Sequence, residues 1–119
     1  MADNIIKIKS FSFALRIVKL YQFLSSEKKE FVLSKQLLRS GTSIGALVRE
    51  SEHAESKLDF IHKLAIAQKE ANESDYWLEL LFQSEYLNET QFQSLSSDIV
   101  EINKILASII ISTKNNLKK

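Results

Sequence analysis

Both glycines of the chain lie within five positions, in the segment LLRSGTSIGALVRES at residues 37–51. Glycine beside serine and threonine is typical of loops whose backbone N–H groups bind phosphate. A Walker-type loop, however, needs a preceding strand, the spacing GxxxxGK[ST] and its lysine. Gly41 and Gly45 lack that lysine, and Leu37 and Ile44 keep a helical register across the segment. We therefore predict an unbroken helix whose small residues let a neighbouring helix approach closely, in the same chain or in another copy.

Glu50 and His53 form the Glu-x-x-His pattern that di-iron bundles use to bind metal. Such a site needs a second pattern, but no glutamate lies three positions before His62, the only other histidine. Arg49 is too close to His53 for a helical ribonuclease motif, Ser43 has no nearby histidine as its base, and the chain has no cysteine. We predict no catalytic residue, metal or cofactor, with a metal-dependent or nucleolytic enzyme as the alternative.

Basic residues mark one face of the second predicted helix. A cation that neutralises a phosphate releases counterions, so such a face can bind RNA or DNA. Cations of the first predicted helix could extend it. The predicted nucleic-acid-binding residues are Arg16, Lys19, Lys35, Arg39, Arg49 and His53. The alternative is a solvated helix face, because the net charge of the chain is only +1.

A polar stripe follows the predicted core on the same helix. Polar groups that are buried must find hydrogen-bond partners, and Glu73 of the third helix could pair with Arg39. The predicted structural polar layer contains Gln36, Arg39, Ser43, Glu50 and Glu73. The alternative is that these residues bind a ligand or take part in catalysis.

The elements that hold these residues follow from composition and periodicity. The 119 residues are 45% hydrophobic and 26% charged, with two glycines and no proline, which favours one domain made of a few long helices. No stretch resembles a signal peptide or has the roughly 20 uncharged residues of a bilayer span. We therefore expect a cytoplasmic protein without a membrane partner.

Four apolar stripes with helical period predict an all-α fold, an antiparallel up-down-up-down four-helix bundle. The first helix is predicted to begin at a Ser10 cap, and the second to cover residues 28–53. The third follows a Ser56–Asp59 capping box and runs to about Tyr86, and Asn88 with Gln91 caps the fourth. Residues 1–9 are predicted to be an extended arm, residues 10–115 the bundle, and residues 116–119 a frayed tail.

The third predicted helix carries a second apolar stripe about half a turn from the first. A bundle helix in a monomer needs only one apolar face, so the second predicts an interface between copies of the chain. The predicted interface residues are Leu58, Ile61, Ala65, Tyr76, Trp77 and Leu80. Charge is uneven as well: residues 55–87 hold seven acidic and three basic side chains, whereas residues 1–30 hold three and six. The alternative is a wide core stripe with scattered exposed apolar residues.

Residues 35–50, KQLLRSGTSIGALVRE, resemble the four-helix-bundle family found in intervening sequences of bacterial 23S ribosomal RNA genes. Some members of that family are labelled S23 ribosomal proteins, and the accessory proteins of diversity-generating retroelements look like relatives. The residues that match the family pattern are Gln36, Leu37, Arg39, Ser40, Ser43, Ile44 and Glu50. Glu73 matches a glutamate common in the family's third helix, and Leu47 departs from its asparagine. The resemblance implies a ring-like homopentamer, nucleic acid or a protein as partner, and no established enzymatic activity.

Overall fold

The computed structural model describes residues 2–118, with side chains from residue 4 onward. Its four helices are α1 (Ala2–Ser26), α2 (Leu33–Ser51), α3 (Lys57–Gln83) and α4 (Glu89–Leu117), and the described residues form no strand. They make a bundle of 53 × 22 × 20 Å. The predicted all-α class and four-helix bundle are confirmed. None of the helices in the described range is apolar over enough residues to cross a membrane.

The helix α1 begins much earlier than the sequence pattern predicts. The predicted extended arm at residues 1–9 is wrong from Ala2 onward, and Met1 lies outside the described residues. Ile6 is 2% exposed and continues the buried stripe of Phe13 and Ile17 towards the helix start. Ser10 is buried inside the helix, where its hydroxyl donates to the Lys7 carbonyl at 3.3 Å. Because a serine can satisfy its hydroxyl in this way within a helix, it does not by itself mark a helix start.

The helix α2 begins at Leu33, five residues after the predicted start, and ends at Ser51. The chain turns at Lys29, whose φ is 56°. The Glu30 carboxylate then accepts hydrogen bonds from the backbone N–H groups of Val32 and Leu33, at 3.0 Å each, and of Ser34, at 2.7 Å. Burial raises the pKa of Glu30, but these donors outweigh it and hold the pKa below the ordinary value. Glu30 therefore satisfies the first N–H groups of the helix from outside it.

The predicted starts of the last two helices are confirmed. Ser56 accepts from the Asp59 N–H at 3.0 Å, although the Asp59 carboxylate accepts from the Glu55 N–H and not from that of Ser56. Asn88 and Gln91 form a complete capping box. The helix α3 ends three residues before its predicted end, and α4 continues to Leu117, into the predicted frayed tail. Lys119 lies outside the described residues.

The glycines serve packing within the chain. The helix α2 is unbroken across them, as predicted, which excludes a phosphate loop. A Cβ built on Gly41 would lie 2.9 Å from Cγ1 of Ile17, and one on Gly45 would lie 3.4 Å from the Ser10 carbonyl oxygen. The helix that approaches closely is therefore α1 of the same chain.

Each helix packs against two others in the described part of the chain. The packed pairs are α1 with α2, α2 with α3, α3 with α4, and α4 with α1. The helices α1 and α3 therefore lie diagonally across the bundle and leave their outer faces on different sides. The core between the four helices includes Phe13, Ile44, Leu78 and Leu106, each at most 1% exposed.

Candidate interaction surfaces

The predicted basic residues Lys35, Arg39 and Arg49 are exposed on the outer side of α2, and His53 is exposed two residues after the end of this helix. Arg16 and Lys19 are exposed on α1. The guanidinium carbon of Arg49 lies 5.0 Å from the ring centre of Phe11 on α1, within the range of a cation–π contact. Arg49 therefore lies beside α1, whereas Arg16 lies at the α1–α4 seam and Arg39 at the α2–α3 seam, so the cations of the two helices are spread over different sides of the bundle.

Two of these six residues already have carboxylate partners within the chain. Arg39 forms an ion pair with Glu73 and lies 3.5 Å from a Glu70 oxygen. Arg16 forms an ion pair with Asp98 and donates to the Ser94 hydroxyl at 2.8 Å. Among the described residues, Lys19, Lys35 and His53 form no ion pair. The charge that remains for phosphate is therefore smaller than the sequence pattern predicts.

The predicted polar layer lies at the surface rather than inside the bundle. Arg39 and Glu50 have side chains that are 53% and 57% exposed, and Gln36 is exposed too. Ser43 donates to the Arg39 carbonyl at 2.6 Å, which is a bond within its own helix. Glu50 lies 3.5 Å from the Lys63 ammonium. The charged members of the layer form ion pairs along the outer α2–α3 seam, where solvent screening makes each pair worth little.

The polar contact inside the bundle is a pair of serines that the sequence interpretation missed. Ser40 on α2 and Ser74 on α3 are fully buried, with their hydroxyl oxygens 2.9 Å apart. Ser74 also bonds to the Glu70 carbonyl at 2.8 Å. The sequence feature that indicates this pair is a serine at a core position in the apolar stripe of α2 and another in that of α3. The pair satisfies both hydroxyls without a ligand.

Glu70 is the carboxylate whose environment disfavours ionisation. Burial raises its pKa most, the neighbouring Glu73 raises it further, and Arg39 lowers it less than these two raise it. The raised pKa of Glu70 therefore follows from its burial between α2 and α3 beside a second carboxylate. No group of three or more His, Cys, Asp or Glu side chains between residues 4 and 118 is arranged to hold a metal ion. Glu50 and His53 stand without the second pair that a di-iron site needs.

The predicted interface on α3 is divided between the core and the surface. Ile61 and Trp77 pack against the core, and Ala65 and Leu80 are half-buried. Leu58 and Tyr76 remain 69% and 57% exposed. The wide-core alternative therefore describes Ile61 and Trp77, whereas Leu58 and Tyr76 are open to contact.

A larger exposed apolar surface lies on α1. We define the α1 face as Ile8, Phe11, Leu15 and Val18, which are 66%, 48%, 50% and 36% exposed. They recur at steps of three, four and three, as regularly as the core stripe on the opposite side of the helix. The helical period of these four apolar residues could therefore have been recognised in the sequence. Beside this face, a groove of about 290 Å³ between α1 and α4 is bordered by the Lys9–Glu101 ion pair.

Comparison with known proteins agrees with this architecture. The model of the family described as 23S rRNA-intervening sequence protein matches residues 2–108, which include α1 to α3 and most of α4. A protein of unknown function from the S23 ribosomal protein family of Bacteroides thetaiotaomicron VPI-5482 has a crystal structure that is 62% identical in sequence, with a TM-score of 0.91. The match covers 92% of this chain and 98% of that one. No curated protein matches the chain.

Proposed function

Because the chain belongs to the family of 23S rRNA-intervening sequence proteins, we propose that it is a non-catalytic helical bundle that assembles with copies of itself in the cytoplasm. The observation that carries this proposal is the α1 face, where four apolar side chains in helical register are exposed and no helix of the described residues covers them. Exposed apolar patches of this kind mark interaction sites, because leaving them in water costs free energy.

Within one copy, we infer the antiparallel up-down-up-down order. The supporting contacts run in reversed order along each pair of neighbouring helices. Ser10 with Gly45 and Ile17 with Gly41 join α1 to α2, and Glu50 with Lys63 and Arg39 with Glu73 join α2 to α3. Asn72 with Asn103 and Phe82 with Phe92 join α3 to α4, and Lys9 with Glu101 and Arg16 with Asp98 join α1 to α4. Short connections between sequential helices also favour this topology.

The assembly is tested by measuring the mass of the protein in solution. Light scattering across a range of protein concentrations is expected to give a multiple of the mass of one chain. The family resemblance favours a ring of five, so five times that mass is the expected value. A mass of one chain at the highest concentration would contradict the proposal, because an uncovered apolar face would then be stable in water.

We further propose that the assembly binds RNA or DNA through the basic face of α2. Lys35 on α2 and His53, two residues after its end, support this, because both are exposed and neither forms an ion pair among the described residues. The net charge of +1 makes one copy a weak site. An assembly repeats the site in every copy. Several copies can then bind one nucleic-acid molecule at the same time, which raises the overall affinity although each single contact stays as weak as before.

Lys35→Glu is expected to weaken nucleic-acid binding roughly tenfold and to flatten its dependence on salt, because fewer counterions are released. The measurement is a fluorescence-anisotropy titration with labelled single-stranded RNA and DNA at two salt concentrations. Lys104→Glu on α4 is the matched control, since it makes the same charge change at another exposed position. Equal weakening by both variants would point to net charge rather than to the α2 face.

The alternative is an assembly that binds proteins and no nucleic acid. The ion pairs of Arg16 and Arg39 favour it, because they neutralise two of the six predicted phosphate-binding residues within the chain. A wild-type protein that shows no affinity for RNA or DNA at low salt would support this alternative and end the nucleic-acid proposal. The self-assembly proposal would be unaffected by that result.

A further inference from the structure

We propose that the α1 face of one copy packs against the outer side of α3 in the next copy, so that unlike surfaces meet at the interface. This inference rests on the proposed self-assembly and names the two surfaces that form it. We define the α3 face as Leu58, Ala65, Tyr76 and Leu80, which are exposed or half-buried on the side of α3 turned away from the core.

The position of the two faces requires a second copy. The helices α1 and α3 do not pack against each other in the described chain, because α2 and α4 lie between them. The α1 face therefore cannot be covered by the α3 face of the same chain. Tyr76 is 57% exposed, and a large aromatic ring with a polar hydroxyl is the kind of side chain that anchors interfaces.

Charge favours contact between unlike faces over contact between two α1 faces. Lys19 lies four positions after Leu15, and Arg49 lies over Phe11, so cations border the α1 face. On α3, the exposed Glu79 lies three positions after Tyr76, whereas Glu73, three positions before it, already pairs with Arg39 of its own chain. Lys69 is also exposed on α3, so this side of the helix has no excess of cations. Two α1 faces would bring cations together, whereas α1 against α3 brings opposite charges together.

Contact between unlike faces has a consequence for symmetry. Each copy that uses its α1 face on one neighbour still offers its α3 face to another neighbour. Such contacts continue from copy to copy, and they end in a ring when the rotation between neighbouring copies closes. Contact between like faces would instead stop at two copies.

The test uses two single variants of the full chain. Leu15→Glu in the α1 face and Tyr76→Glu in the α3 face each place a carboxylate among the apolar side chains of the proposed contact, where it would lose its hydration, and Tyr76→Glu also removes the aromatic anchor. Each variant alone is expected to have the mass of one chain by light scattering, at a concentration at which the wild type is assembled. Val100→Glu is the matched control, because Val100 is 52% exposed on α4 and lies in neither face. Circular dichroism confirms that each variant keeps its helices.

Mixing the two variants distinguishes unlike from like contacts. The Tyr76→Glu chain keeps an intact α1 face and the Leu15→Glu chain keeps an intact α3 face, so one productive contact remains. The equimolar mixture is expected to have twice the mass of one chain and to grow no further. A mixture that stays at the mass of one chain overturns the inference, as does a single variant that assembles like the wild type. In either case an assembled wild type would leave the proposed function standing, whereas a monomeric wild type would end both.

Discussion

Gly41→Ala is expected to lower the free energy of unfolding by up to about 2 kcal/mol, even though alanine is the better helix former. The new Cβ would lie 2.9 Å from Cγ1 and 3.1 Å from Cγ2 of Ile17. Ile17 is completely buried and branched at Cβ, so it cannot move away without disturbing its neighbours. Overpacking of this kind costs roughly 1–3 kcal/mol, and the gain in helix propensity offsets about 1 kcal/mol of it. Urea denaturation followed by circular dichroism measures the difference.

Gly45→Ala is the matched control, four residues later on the same helix. Its Cβ would lie 3.4 Å from the Ser10 carbonyl oxygen and 3.5 Å from the Ser10 hydroxyl, which are ordinary contact distances. Helix propensity then dominates, and the variant is expected to be as stable as the wild type or up to about 1 kcal/mol more stable. Equal stability of the two variants would contradict the close approach of α1 to α2 at Gly41.

Local signals in the sequence were sufficient where a cap and its partner are close together. Asn88 with Gln91, and Ser56 with Asp59, could be predicted because each pair is three residues apart and its bonds lie within one helical turn. The start of α2 could not be predicted in the same way. Its capping carboxylate, Glu30, accepts hydrogen bonds from the N–H groups of residues 32–34 across a turn, so the capping residue lies outside the helix that it caps.

Apolar periodicity predicts which residues share a face, but it does not predict what lies against that face. Ile61 belongs to the second stripe of α3 and Trp77 is predicted to lie in the same interface, yet both pack against the core. Leu15 belongs to a stripe of equal regularity on α1 and is open to solvent. Only the positions of the neighbouring helices decide between these outcomes.

Ion pairs show the same limit. The ion pair of Arg39 with Glu73 could be predicted, because both residues match the family pattern and lie on helices that follow each other directly in the sequence. Arg16 with Asp98 joins residues that are 82 positions apart, and each has other oppositely charged candidates along the facing helices. The candidate phosphate-binding surface was therefore overestimated, since a cation's partner depends on the tertiary arrangement more than on the charge pattern.

Glu30→Ala is expected to destabilise the protein by about 1–2 kcal/mol at pH 7, the upper part of the range for loss of a helix cap. Glu30 is only 8% exposed, and both of its carboxylate oxygens accept backbone N–H groups at the start of α2. Alanine would leave these donors without their partner at a site that water reaches poorly. Glu27→Ala is the control, because Glu27 is an exposed glutamate in the same connection. Urea denaturation at pH 7 gives both values, and equal losses would contradict a capping role.

The pH dependence of the same site separates the charge of Glu30 from its shape. Because folding lowers the pKa of Glu30, its ionisation stabilises the folded state above the ordinary carboxyl pKa, and this contribution is lost as the pH falls through the lowered value. Glu30→Gln keeps one acceptor oxygen and never ionises. The stability difference between wild type and Glu30→Gln is therefore expected to be largest at pH 7 and to shrink as the pH falls below about 4.3. A difference that stays constant down to pH 3 would mean that shape alone, and not the carboxylate charge, holds the start of α2.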